Sequence, residues 1–141
     1  KVIEKSAEMV PDDRIFLRLV CEVAMHIQAF TSGRNMAELY VIAYGSYNIS
    51  EEVMRKQHIR IANIMENQGR KEQVDVEFVA LTLKGFLHAL ALKSMNGEEL
   101  DPQVIIPKAA TLLLSLFQLE ESQQKDIIKR LEALPIYVNL V

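Results

Sequence analysis

The sequence predicts an all-α fold, a helical bundle of about six to seven helices. Strand signals are scarce, while apolar residues recur at helical spacing almost without interruption. Cap and breaker residues separate the periodic stretches at short intervals. Two of those stretches, Val74 to Met95 and Ala109 to Leu119, are apolar on nearly every side, which a helix with one solvated face is not.

In chain order, Lys1 to Met9 reads as the end of a helix that began upstream, stopped by Val10-Pro11, because a residue before proline avoids the helical region. Asp12 or Asp13 then caps a helix from Arg14 to about Phe30. Its apolar positions cover more than half the circumference, so it is the expected centre of the core. Thr31-Ser32-Gly33 ends it. A short helix, Met36 to about Tyr44, breaks at Gly45-Ser46-Tyr47-Asn48. Ser50, followed by Glu51 and Glu52, resembles a cap for a helix running to about Gln68, with Val53, Gln57, Ile61, Ile64 and Gln68 on one face. Gly69 suits the left-handed stop position, and Arg70-Lys71 supplies cations at the helix end.

Asp75 caps the next helix, which ends near Asn96-Gly97. Asp101-Pro102 is a start signal, an N-cap followed by proline at the first helical position. Pro107 either kinks the helix that follows or marks its true start. Ser122 or a neighbour caps a short amphipathic helix carrying Ile127, Ile128, Leu131 and Leu134. Pro135 stops it, and the apolar tail Ile136 to Val141 remains.

With 141 residues the chain fits one domain spanning 1–141. A net charge of −3 argues against this chain alone holding a nucleic-acid backbone, which calls for a basic footprint. One cysteine, Cys21, excludes an intrachain disulfide and favours a reducing, cytoplasmic compartment. No window approaches the roughly 20 uncharged apolar residues of a membrane span, so no membrane partner is expected. The opening KVIEKSAEMV shows neither a signal-peptide core nor an initiator Met, and the chain is expected to begin inside a longer protein.

No phosphate-cradling glycine loop, HExxH, paired-cysteine motif or nucleophile elbow is present, so no cofactor and no enzymatic activity are expected. Cys21, Glu22 and His26 lie close together on one helix, yet metal ligands usually converge from several elements, and no metal is expected there. His26 reads as a core or pocket histidine. His58, beside Arg55, Lys56 and Arg60, reads as part of a solvated face. Met25, Phe30, Met36, Tyr40, Tyr44, Met54, Met65 and Phe86 either line an apolar cavity or fill the core.

The stretch Val74 to Met95 organises the rest. Val79, Leu83, Phe86 and Leu90 form one row at helical spacing, expected to face the chain's own core. Leu81, Gly85, Ala89 and Leu92 form a second row, expected to face a partner subunit. This helix and the one after it carry more apolar surface than one core needs. An antiparallel hairpin of the two, docked on its own copy, gives a four-helix interface.

The order of elements then carries a resemblance. A central apolar helix leads to a short helix ending in ELYVIAYGSYNISEE; a long amphipathic helix closes at NQGR; an apolar pair follows, VALTLKGFLHALAL and AATLLLSLF. This resembles the C-terminal ligand-binding and dimerisation domain of the tetracycline-repressor (TetR) family of transcriptional regulators. The resemblance implies a homodimer through the last two long helices, with Leu81, Gly85, Ala89, Leu92, Ala110, Leu113, Leu114 and Phe117 at the interface. It implies a small, mainly apolar effector enclosed by the helices starting at Arg14, Met36, Ser50 and Asp75, touched by Val23, His26, Phe30, Tyr40, Tyr44, Met54, His58, Ile61, Met65, Phe86 and Leu90. DNA would be held only by an N-terminal helix-turn-helix, which no segment here supplies. An all-α dimerisation or scaffold module without a small-molecule site is the alternative.

Overall fold

The computed structural model describes residues 14–70 and 74–134. Among these, six helices follow one another: α1 (Ile15–Thr31), α2 (Arg34–Gly45), α3 (Tyr47–Asn67), α4 (Val76–Met95), α5 (Pro102–Leu116) and α6 (Glu121–Glu132), with no strand among the described residues. The expectations for Lys1 to Asp13, Lys71 and Pro135 to Val141 lie outside the described residues.

The wide apolar circumference of α1 makes it the axis of the bundle. It buries ten residues, from Leu17 to Phe30, and packs against α2, α4, α5 and α6. Phe30, Phe117, Met25, Ile27, Ile61, Met65 and Leu131 are among the fully buried side chains around it. Each such side chain contributes about 1.5–3 kcal/mol by leaving water. At Ser32 and Gly33 the chain turns sharply, and α2 leaves α1 at a bend of 119°.

Three helix ends close in the same way. After α3, Gly69 adopts φ +67, its N–H reaches the Glu66 carbonyl at 3.0 Å, and Arg70 N–H reaches Met65 at 2.8 Å. Gly97, at φ +88, does the same after α4, with Glu98 N–H on the Lys93 carbonyl. These paired bonds satisfy carbonyls that a helix end otherwise leaves open. After α5 the left-handed position falls on Gln118 (φ 59), with Leu119 N–H bonded to Leu114. Nothing in the sequence announced that third stop, because glycine is its usual marker.

The starts follow the sequence less uniformly. Asp75 Oδ1 accepts the Phe78 N–H at 3.1 Å, and Asp101 Oδ1 accepts the Gln103 N–H at 2.9 Å ahead of Pro102. α5 then continues through Pro107 instead of starting there. For α6 the cap position is Glu120, not Ser122; the Gln123 side-chain oxygen accepts the Glu120 N–H at 3.2 Å. The start of α3 corrects the expectation at Ser50. The break after α2 is the single extended residue Ser46, and α3 begins at Tyr47. Ser50 therefore lies in the first turn, its N–H bonded to the Ser46 carbonyl at 2.8 Å and its side chain buried.

α4 divides its faces largely as its sequence suggests. Only Val79, Ala80, Leu87 and Ala91 are buried; Leu83, Phe86 and Leu90 flank them against the core. Phe78, Leu81 and Leu92 are exposed at 54%, 56% and 37%, and Gly85 and Ala89 are exposed between them. Because of its surplus apolar surface, α4 is long and apolar enough to cross a membrane by length and composition, a test that core helices of soluble proteins also pass.

The α5 half of the expected partner face is corrected. Ala110, Leu113, Leu114 and Phe117 are buried in the chain's own core, because α5 lies along α1 and turns that row inward. Nor do α4 and α5 form a tight hairpin. They touch only lightly, and most of α4's inner surface rests on α2 and α3.

Candidate functional site

α1 and α3 do not pack along each other's length. Between them, floored by α4 and closed at one end by α5, is a cavity of about 90 Å³. Each helix supplies a single face at spacings of three and four. Leu19, Glu22, Val23 and His26 come from α1; Val53, Met54, Gln57 and Ile61 from α3; Ala80, Leu83, Lys84 and Leu87 from α4. Tyr44 of α2, with Leu113 and Phe117, completes the lining. The wall is therefore apolar with a few polar groups, the general make-up of a ligand site.

One ion pair spans the gap between α1 and α3. Both terminal nitrogens of Arg60 donate to the two carboxylate oxygens of Glu22, whose side chain is 7% exposed. Arg18, one turn before Glu22, brings its Nε to 3.9 Å. A buried carboxylate needs such compensation, since an isolated one is held in a low-dielectric interior at a cost of several kcal/mol.

A second polar contact joins α1 to α2. His26 Nδ1 and the Tyr40 hydroxyl share a hydrogen bond, and the Tyr40 ring meets Phe30 edge-on at 5.2 Å between centroids. Tyr44 continues the row at 5.8 Å from Tyr40 and 6.1 Å from His88. Burial lowers the His26 pKa from 6.5, opposed by the Glu22 carboxylate, so the imidazole is neutral at pH 7. Burial pushes the Tyr44 phenol up to about 12 and raises Tyr40 as well. Cys21, pushed up to about 11 by burial and then by Glu22, remains a thiol and a poor nucleophile. Among the described residues no three His, Cys, Asp or Glu side chains are close enough together to hold a metal ion.

Of the residues expected to contact an effector, Val23, His26, Tyr44, Met54 and Ile61 line the cavity. Tyr40 stands behind it as the partner of His26. Phe30 and Met65 are corrected to the core, where both are fully buried. Phe86 and Leu90 also pack against the core, because α4 turns Leu83 and Leu87 toward the cavity instead. His58 is exposed at the edge of the inward row of Met54, Gln57 and Ile61 and does not line the cavity.

Sequence reasoning missed Glu22 and Lys84 as parts of this wall. A signal existed for both: each is a charge interrupting an otherwise apolar helix face, and Glu22 stands one turn before His26. The pairing of Glu22 with Arg60, 38 residues away, had no local signature. Comparison with known proteins supplies no family: no family model, no curated protein and no solved structure matches this chain.

Proposed function

We propose that this chain is the regulatory domain of a dimeric transcriptional regulator similar to the TetR family, sensing a small effector in the cavity between α1, α3 and α4. The observation that carries this reading is the double use of α4. Its inner face, Ala80 to Leu87, lines the cavity, while its outer face exposes Phe78, Leu81 and Leu92 around Gly85 and Ala89. A second copy on that outer face would bury a row that is otherwise an apolar liability in water. A ligand that binds two positions of α4 with different affinity would then bias the geometry of the dimer. DNA contact would belong to an N-terminal helix-turn-helix, for which the 141 residues hold no candidate segment. A cytoplasmic setting goes with that reading.

Gly85 supports the interface in a second way. A side-chain carbon added there would meet nothing within 4 Å, so the chain's own packing does not require glycine. Mid-helix glycine costs about 0.5–1 kcal/mol relative to alanine, and close approach of a partner backbone would account for it. The mass of the protein in solution tests the reading. A dimer at micromolar concentration is expected, and a monomer would overturn it.

The scaffold reading is favoured by one observation, the size of the cavity. At about 90 Å³ it is well below the roughly 300–1,000 Å³ of drug-sized ligand sites. A self-associating chain that binds no small molecule in titrations would decide for a scaffold.

A further inference from the structure

We infer that the cavity is built for a small monocarboxylate with an apolar body, its carboxylate paired with Lys84. This rests on the reading of the cavity as a ligand site and specifies what that site takes. Its first support is the charge balance of the wall. Glu22 is the one carboxylate among the lining residues, and its oxygens are already engaged by Arg60, with Arg18 close by. Lys84 also lines the cavity, is only partly exposed, and has no ion-pair partner among the described residues.

Its own helix offers no compensation. The positions one turn away, Ala80, Leu81, Leu87 and His88, include no acid. Lys84 is thus the one cation in the cavity wall, beside a single carboxylate that Arg60 already holds. Lys84 is half-buried beside apolar walls, a setting that suits an anion with an apolar body, and charge-assisted hydrogen bonds are the strong ones.

Size and wall chemistry narrow the anion. An apolar cavity of about 150 Å³ holds benzene, so about 90 Å³ fits a short aliphatic chain or part of one aromatic ring. Val23, Leu83 and Ile61 offer that body apolar contact. A phosphate or sulfate would leave these residues unmatched and would need more donors than Lys84 alone provides. A carboxylate carries one charge on one end and leaves the remainder apolar.

The test uses pentanoate and benzoate, with 1-pentanol and benzyl alcohol as uncharged matches, titrated into the isotope-labelled chain and followed by NMR. The expected result is saturable shifts at Val23, Ala80 and Leu83, with each carboxylate binding about tenfold more tightly than its alcohol, the factor given by a charge-assisted contact of about 1.4 kcal/mol. Lys84→Gln should bring the two affinities together while leaving the alcohol's unchanged, and Lys84→Arg should restore the preference. Carboxylate and alcohol binding equally, or Lys84→Gln retaining the preference, overturns the inference but leaves the cavity a ligand site. If none of the four binds at tens of millimolar, the effector reading of the cavity falls with it.

Discussion

Replacing Arg60 with methionine isolates the contact that joins the two walls of the cavity. The substitution keeps an unbranched, helix-compatible side chain and removes both donors to Glu22. Breaking a buried ion pair from one side costs about 3–5 kcal/mol, because the remaining charge stays buried without its partner. Two observations lower that figure here. Arg60 is 22% exposed, and Arg18 remains 3.9 Å from the Glu22 carboxylate. The expected loss is therefore about 2–3 kcal/mol, which lowers Tm by roughly 5–10 °C in a chain of this size.

Glu22→Leu combined with Arg60→Met should recover most of that loss, ending within about 1 kcal/mol of the parent, since apolar replacement of a whole buried pair is often neutral. Urea unfolding followed by circular dichroism reads all four members of the cycle. High salt should rescue little, because a buried pair is weakly screened. An Arg60→Met cost below about 1 kcal/mol, or additive single-mutant costs, would refute the idea that this pair bridges a gap the helices do not otherwise close.

Four shorter expectations accompany it. Gly85→Ala should stabilise the folded chain by about 0.5–1 kcal/mol, because the site is open, yet weaken self-association measured by sedimentation. Unchanged association would remove the glycine's role in an interface. His26 is depressed below its usual 6.5 by burial, so the native state binds fewer protons than the unfolded state below that pH. Its contribution is fully present above pH 6.5 and is lost as pH falls through the lowered folded value, by up to about 1.4 kcal/mol per pH unit. The stability difference between the parent and His26→Gln should accordingly shrink from pH 7.5 to 5.5; a flat difference contradicts the burial argument. Gln118→Gly should add about 0.5–1 kcal/mol by relieving the left-handed backbone at φ 59, whereas a loss would mean the side chain matters more than the backbone. Ser50→Ala should be neutral or stabilising in urea unfolding, since the hydroxyl is buried without a hydrogen-bond partner among the described residues; a loss of about 1 kcal/mol would restore its role as a cap.

What could be read from the sequence followed the range of the interactions involved. Caps at Asp75 and Asp101 and stops at Gly69 and Gly97 depend on residues within one turn, and each stands where its local chemistry puts it. Ser50 misled because the start of α3 is decided by where α2 ends, and one extended residue, Ser46, suffices to separate them. The rotation of a helix about its axis is less local still. All-round apolar helices give no preferred inward face, so the inward turn of Ala110, Leu113, Leu114 and Phe117 depended on where α1 lay. The cavity followed the same rule. His26 and Tyr44 are conspicuous as polar-tipped residues in apolar stretches, while Phe30, one turn past His26 on the same face, is fully buried in the core and Phe86 packs against it.

Two charges inside apolar helix faces, Glu22 and Lys84, have different fates in this fold. Glu22 is matched by a cation from a distant helix, and the pair spans the space between α1 and α3, which do not pack along each other. That spacing helps to keep a cavity open where close helix packing would otherwise fill it, since interiors normally pack to crystal-like density. Lys84 enters the same space from the opposite helix without a matching acid among the described residues. The pair thus spans the space, and the unmatched lysine gives it a sign. A ligand completing that charge would press on α4 from inside, directly behind Leu81 and Gly85 on its outer face. The coupling proposed between cavity and dimer then needs no long pathway: one helix, two faces, and about one helix diameter between them.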